Sequence, residues 1–209
     1  MATSSGSFAR SERIALADLA LALGPETPTL CSGWTVRDLV VHLLVRERRP
    51  LAAPGILVPA LSRLVDRASA TLARQPFEEL VTRLRTPPLP VRGPVERLMN
   101  TVEFFVHHED LRRAQDSWTP RTLSPEDESQ LWRPLSFIGR GLVRPAGVPV
   151  VVMSGARRAV LRGGDDPVVL SGPVSELVLF LFGRSAVSGL SFDGPTAKVE
   201  ALRGASLGF

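Results

Sequence analysis

Apolar and polar positions alternate along the first half of this chain with helical spacing. Ile14, Ala15, Leu19 and Leu23 recur at that period, and Gly24-Pro25 supply a stop, so a first helix is predicted from about Phe8 to Leu23. Thr35 followed by Asp38 forms a capping box with Asp in place of Glu, which predicts a second helix from Val36 to about Arg48, ahead of Pro50. Leu61, Leu64, Val65, Ala68 and Leu72 predict a third helix over about Ala60–Arg74, continued after Pro76 by a shorter one over Phe77–Leu84. Gly93-Pro94 opens a fourth long helix with proline in its first turn. Four main helices in about 115 residues imply an antiparallel four-helix bundle.

Beyond Trp118-Thr119-Pro120 the pattern changes. One further helix, about Glu126–Leu142, precedes short β-rich runs at Val148–Met153, Ala159–Arg162 and Val168–Ser171. A helix at Val174–Phe182 ended by Gly183, a strand at Val187–Phe192 and a helix at Thr196–Leu202 complete the reading. Gly163-Gly164-Asp165-Asp166 reads as a hairpin turn rather than a phosphate cradle. The expected fold class is therefore α+β: a bundle over residues 1–117 followed by a small α/β domain over 118–209.

Composition removes several function classes. The sequence has 209 residues, 44% of them apolar and 22% charged, which is ordinary for a globular protein. No apolar run approaches the roughly 20 residues that span a bilayer, and the N-terminus lacks the apolar core of a signal peptide. Cys31 is the only cysteine, so no internal disulfide can form. A cytoplasmic protein with no membrane partner is expected. The pI of 10.7 hides a net charge of only +4. Lys198 is the only lysine among 25 basic residues, a skew typical of a GC-rich coding genome. The pairs Arg48-Arg49, Arg112-Arg113 and Arg157-Arg158 are scattered and not interleaved with aromatics, so no nucleic-acid partner is expected. No Gly-x-Ser-x-Gly elbow or Walker-type loop is present.

The chemistry concentrates in the fourth helix. Glu103 and His107 stand four residues apart, on one helical face, within a run of Leu98, Met99, Val102, Phe104, Phe105 and Val106. Buried ionisable groups of this kind need a partner or a metal. A third ionisable residue, His42, sits in a similar apolar run on the second helix. Together His42, Glu103 and His107 make a three-ligand set for a divalent ion such as zinc, with a coordination position left open. The plainer alternative is an i, i+4 Glu–His pair beside a core histidine. His108 points roughly 100° away from His107 and Glu109 faces elsewhere, whereas Asp110 continues the stripe as a group that orients a ligand. Cys31 precedes a helix N-terminus, where a thiol can be activated, but a lone cysteine is more often a packing residue. Trp34 reads as packing at the bundle end. Arg37, Arg46 and Arg49 are candidates for a substrate carboxylate, with surface solvation as the default.

The string Gly33-Trp34-Thr35-Val36-Arg37-Asp38-Leu39-Val40-Val41-His42-Leu43 resembles the second-helix signature of the DinB-like, mycothiol-dependent maleylpyruvate isomerase superfamily, Trp-Thr-x-x-Asp-Leu-x-x-His. Glu103-Phe104-Phe105-Val106-His107-His108-Glu109-Asp110-Leu111 is similar to its fourth-helix signature, Glu-x-x-x-His-x-x-Asp-Leu. Arg46 to Ile56 resembles an actinobacterial branch of metal-binding members. Ser171 to Arg184 resembles the superfamily's C-terminal domain, akin to sterol carrier proteins. The resemblance implies metal ligands at His42, Glu103 and His107, and mycothiol as cosubstrate. It further implies isomerase or thiol S-transferase chemistry on a small-molecule substrate, with the metal activating the thiolate. The alternative from another class is a non-catalytic module that binds an apolar small ligand and carries a structural metal. A stress-response protein whose metal site performs no turnover is a third reading.

Overall fold

The computed structural model describes residues 8–48, 69–88 and 93–208. Internal contacts divide the chain into two compact units, Met1–Trp118 and Thr119–Phe209. The described elements of the first unit are α1 (Phe8–Leu23), α2 (Val36–Arg48), helical residues 69–73, α3 (Phe77–Arg85) and α4 (Gly93–Arg112). Most of the third helix predicted at Ala60–Arg74 lies outside the described residues. Helix α1 packs on α3 and α4, and α2 packs on α3. Their shared core holds Leu16, Ala17 and Ala20 of α1, Leu39, Leu43 and Leu44 of α2, Leu80 and Leu84 of α3, and Phe104 and Leu111 of α4.

That core corrects the face predicted for α1. Ile14 is exposed, and the buried stripe is Glu12, Arg13, Leu16, Ala17 and Ala20. The two charged residues mask the stripe in a hydropathy pattern because both are paired inside. Glu12 Oε2 lies 2.9 Å from His108 Nδ1. Arg13 pairs with Glu47, donates to the Leu84 carbonyl at 2.9 Å and stacks over the Phe104 ring, 4.1 Å from its centroid. Buried charges persist only with such partners.

The second unit opens with α5 (Pro125–Leu142), capped by Ser124, whose Oγ accepts the Asp127 N–H at 3.1 Å. A short 3-10 turn, Arg144–Ala146, leads into β1 (Val150–Ser154), β2 (Arg157–Arg162) and β3 (Val168–Ser171), then α6 (Val174–Leu181), β4 (Ser191–Asp193) and α7 (Thr196–Gly204). The sheet order is β2-β1-β3-β4, with β1 antiparallel to β2, parallel to β3, and β3 antiparallel to β4. The hairpin joins β1 to β2 through Gly155. Gly163–Asp166 is consequently not a hairpin turn: it carries the chain past the start of β1, where the Val168 N–H donates to the Pro149 carbonyl at 2.9 Å. The strand predicted at Val187–Phe192 is confined to Ser191–Asp193, since the left-handed Gly189 (φ 66°) interrupts an extended backbone.

Helix α6 ends as its sequence requires. Gly183 adopts φ 81°, its N–H donates to the Phe180 carbonyl at 2.9 Å, and the Arg184 N–H donates to the Leu179 carbonyl at 3.0 Å. This pair of bonds is a Schellman motif, for which glycine is the fitting residue. Among the described residues no helix is long and apolar enough to cross a membrane.

Candidate metal centre

The site is assembled by two helices and the loop between α1 and α2. The Thr35–Asp38 capping box sets the phase of α2: the Thr35 N–H donates to Asp38 Oδ2 at 2.9 Å, and the Asp38 N–H returns to Thr35 Oγ1 at 3.4 Å. With the helix starting at Val36, His42 falls on the side that meets α4. Trp34, just before the helix, packs against the His42 ring at a tilt of 51°, with centroids 5.0 Å apart.

On α4 the i, i+4 spacing delivers Glu103 and His107 to the same place. Glu103 Oε2 lies 3.5 Å from His107 Nε2 and 3.9 Å from His42 Nε2. The two imidazoles meet edge to face at 5.2 Å. One potential ligand atom from each of the three side chains falls within 4.8 Å of the others. His107 is buried, and His42 and Glu103 are nearly so.

Charge is tightly organised around this cluster. Burial pushes the Glu103 carboxyl up, but hydrogen bonds with His107 and His42 and the charge of Arg46 outweigh it and hold the group well below the usual carboxylate range. Burial likewise pushes His107 down, yet its bonds with Asp110, Cys31 and Glu103 hold it well above an ordinary histidine. His42 is lowered, chiefly by burial, which favours the neutral imidazole that ligates metals.

Around these three lies a supporting shell. Asp110, fully buried, places Oδ2 2.9 Å from His107 Nδ1. Arg46, one turn beyond His42, sets Nε 3.5 Å from Glu103 Oε2 and donates through Nη1 to Asn100 Oδ1 at 2.6 Å. Of the other arginines proposed for substrate, Arg37 is engaged elsewhere: its Nη1 donates to the Ala73 and Gln75 carbonyls, and its guanidinium lies over Phe77. Arg49 lies outside the described residues. His108 points to Glu12, and Glu109 is bound by Arg112 at 2.7 Å and Arg113 at 2.5 Å.

Cys31 is the residue that sequence reasoning set aside. Its Sγ donates to Asp110 Oδ2 at 3.2 Å and lies 3.9 Å from His107 Nδ1. The loop is pinned there by the Leu30 N–H, which donates to the Asp110 carbonyl at 3.2 Å, and by the Cys31 N–H, which donates to Thr29 Oγ1 at 3.1 Å. No local pattern announces this contact, because Cys31 and Asp110 are 79 positions apart.

Residues 9–54, which include His42, match the model of the mycothiol maleylpyruvate isomerase N-terminal domain family. Crystal structures of the mycothiol-dependent maleylpyruvate isomerase and of a mutant of it superpose with TM-scores of 0.57 and 0.58. Each covers 90% of this chain and 90% of that one, at 19% and 18% identity. No curated protein matches the chain. The protein therefore has the mixed helical and sheet fold of these enzymes over nearly its whole length. Its N-terminal segment carries the mycothiol maleylpyruvate isomerase N-terminal domain signature, so the family resemblance drawn from the sequence is borne out.

Proposed function

We propose that the protein holds one divalent ion, zinc by the chemistry of its donors, through His42, Glu103 and His107, and that it carries out mycothiol-dependent isomerase or S-transferase chemistry on a small electrophile. The observation that carries this reading is the meeting of two imidazole nitrogens and a carboxylate oxygen from two helices within 4.8 Å. The donors fit the ion. Bonds of about 2.0–2.1 Å at tetrahedral angles put ligand atoms roughly 3.3 Å apart. The separations of 3.5 and 3.9 Å from Glu103 Oε2 need to close by only a few tenths of an ångström. We read the first unit as a DinB-like four-helix bundle, and residues 118–209 as a domain akin to the sterol-carrier-like one of the superfamily.

When bound, such an ion lowers the pKa of a coordinated thiol and so presents it as a thiolate nucleophile. The chain's own residues prepare that position. Asp110 accepts from His107 Nδ1 and so turns Nε2 toward Glu103 and His42. Trp34 restrains the His42 ring and shields one side from water. Arg46 partly neutralises Glu103 and is placed to receive a carboxylate of the substrate, with Asn100 fixing its guanidinium.

The test uses protein purified without a histidine tag, loaded with cobalt and titrated with mycothiol. Under this reading the metal is bound in a 1:1 ratio by these three residues, and the visible spectrum shifts as thiolate enters. A full metal load with no response to the thiol would favour the non-catalytic binding module instead.

A further inference from the structure

His107 offers two ring nitrogens; the reading above uses Nε2 as a ligand and Nδ1 only as a donor to Asp110. Nδ1 faces a second donor group of different chemistry, made of Cys31 Sγ and Asp110 Oδ2. These three atoms also lie within 4.8 Å of one another. Their separations are 2.9 Å between nitrogen and oxygen, 3.2 Å between sulfur and oxygen, and 3.9 Å between sulfur and nitrogen. A tetrahedral ion with a sulfur ligand at about 2.3 Å and nitrogen and oxygen ligands at about 2.0–2.1 Å needs edges of roughly 3.3–3.6 Å. The observed triangle brackets that range, and its nitrogen–oxygen and sulfur–oxygen edges are tighter than the corresponding contacts around Glu103.

We propose that Cys31, Asp110 and the Nδ1 edge of His107 form a second cation position, selective for thiophilic divalent ions such as zinc, cobalt or cadmium. The selectivity follows from the sulfur ligand, which hard ions such as magnesium do not favour. Charge supports it: a thiolate and a carboxylate together cancel a divalent ion, leaving a neutral cluster in a buried setting. Binding involves no redox change. Metal–sulfur and metal–nitrogen bonds form as the Cys31 thiol proton and the His107 Nδ1 proton pass to solvent. Asp110 is wholly buried, but Cys31 is half-buried at the loop, which gives the ion a path in. The two positions use opposite edges of one ring, so both fill together only when His107 bridges them as the imidazolate. The Cys31 position is therefore expected to fill after the first in the wild-type protein.

Cobalt titration of untagged, metal-free protein reads this out directly, because a Co–thiolate bond gives a near-ultraviolet charge-transfer band. The wild type should develop that band in the later part of the titration. His42→Ala, which cripples only the first position, should show it from the earliest additions. Cys31→Ala should lack the band and still bind cobalt through His42, Glu103 and His107. Circular dichroism confirms that both variants fold. Absence of the band in both the wild type and His42→Ala overturns the proposal and leaves Cys31 as a hydrogen-bond donor to Asp110. Identical cobalt binding by wild type and His42→Ala, with the band present in both, supports this position and instead removes the reading based on His42, Glu103 and His107.

Discussion

Asp110 Oδ2 stands 2.9 Å from Nδ1 of His107, three positions before it on the same helix, with the carboxylate completely removed from solvent. A buried acceptor at that distance fixes both the ring orientation and the tautomer of a prospective ligand. It also strengthens the basicity of the opposite nitrogen.

In a Cys31→Ala background, where only the position at His42, Glu103 and His107 remains, Asp110→Asn should therefore weaken divalent-ion binding by about 10–100-fold while leaving the helices intact. Competition against a chromophoric chelator measures the affinity, and circular dichroism the fold. Unchanged affinity would show that His107 needs no help from Asp110 and would remove the positioning role assigned to it.

Arg46 works in the opposite direction. A guanidinium 3.5 Å from Glu103 Oε2 repels any cation that Glu103 holds. Arg46→Met should raise the affinity for zinc by roughly three- to tenfold, a change of up to about 1.4 kcal/mol. The same variant should weaken binding of a carboxylate-bearing substrate. A fall in metal affinity would mean that Arg46 chiefly holds α2 and α4 in register through Asn100.

The protons on the cluster set a pH dependence with a defined sign. His107 is held well above the ordinary histidine value, so its stabilising contribution to the metal-free protein is complete below that ordinary value and is lost as pH rises through the raised one. Glu103 is held well below the usual carboxylate value, so its contribution is complete above the usual range and is lost as pH falls through the depressed one. Metal-free protein should accordingly lose stability on the alkaline side through His107, and keep the Glu103 contribution into unusually acidic solution. Thermal unfolding of the metal-free wild type and of His107→Gln across pH tests this; parallel curves would contradict it. Below the raised His107 value, zinc binding should release a proton from that ring, which calorimetry in buffers of different ionisation enthalpy detects.

In the second unit Gly183 carries the most specific backbone demand. At φ 81° an added Cβ would meet the Leu207 carbonyl oxygen. Gly183→Ala should destabilise this unit by about 1–3 kcal/mol, seen as a lowered unfolding midpoint, with metal affinity unchanged. A neutral effect would mean that the segment around Leu207 yields without loss.

Much of this arrangement is legible in the chain because it is local. The Thr35–Asp38 box fixes where α2 starts, Gly93-Pro94 where α4 starts, and Gly183 where α6 stops; each is a short-range rule that the fold obeys. Glu103 and His107 share a helix face by spacing alone, so their meeting needs no tertiary information. Cys31 is different, since its contact with Asp110 depends on a loop pinned by Leu30 to the end of α4. The buried face of α1 was hidden for a related reason: Glu12 and Arg13 look solvated until His108 and Glu47 are brought to them. The chain path at Gly163–Asp166 is not legible in the sequence, because a glycine- and aspartate-rich turn has the same composition whether it closes a hairpin or crosses to a third strand.

The central claim is that His42, Glu103 and His107 share one cation. Anomalous diffraction at the zinc edge, from crystals of untagged protein grown with zinc, tests it most directly. The account predicts a peak bonded to Nε2 of His42, Nε2 of His107 and a carboxylate oxygen of Glu103, each at about 2.0–2.2 Å. Crystals grown with zinc in excess that show no peak among these three side chains would contradict it.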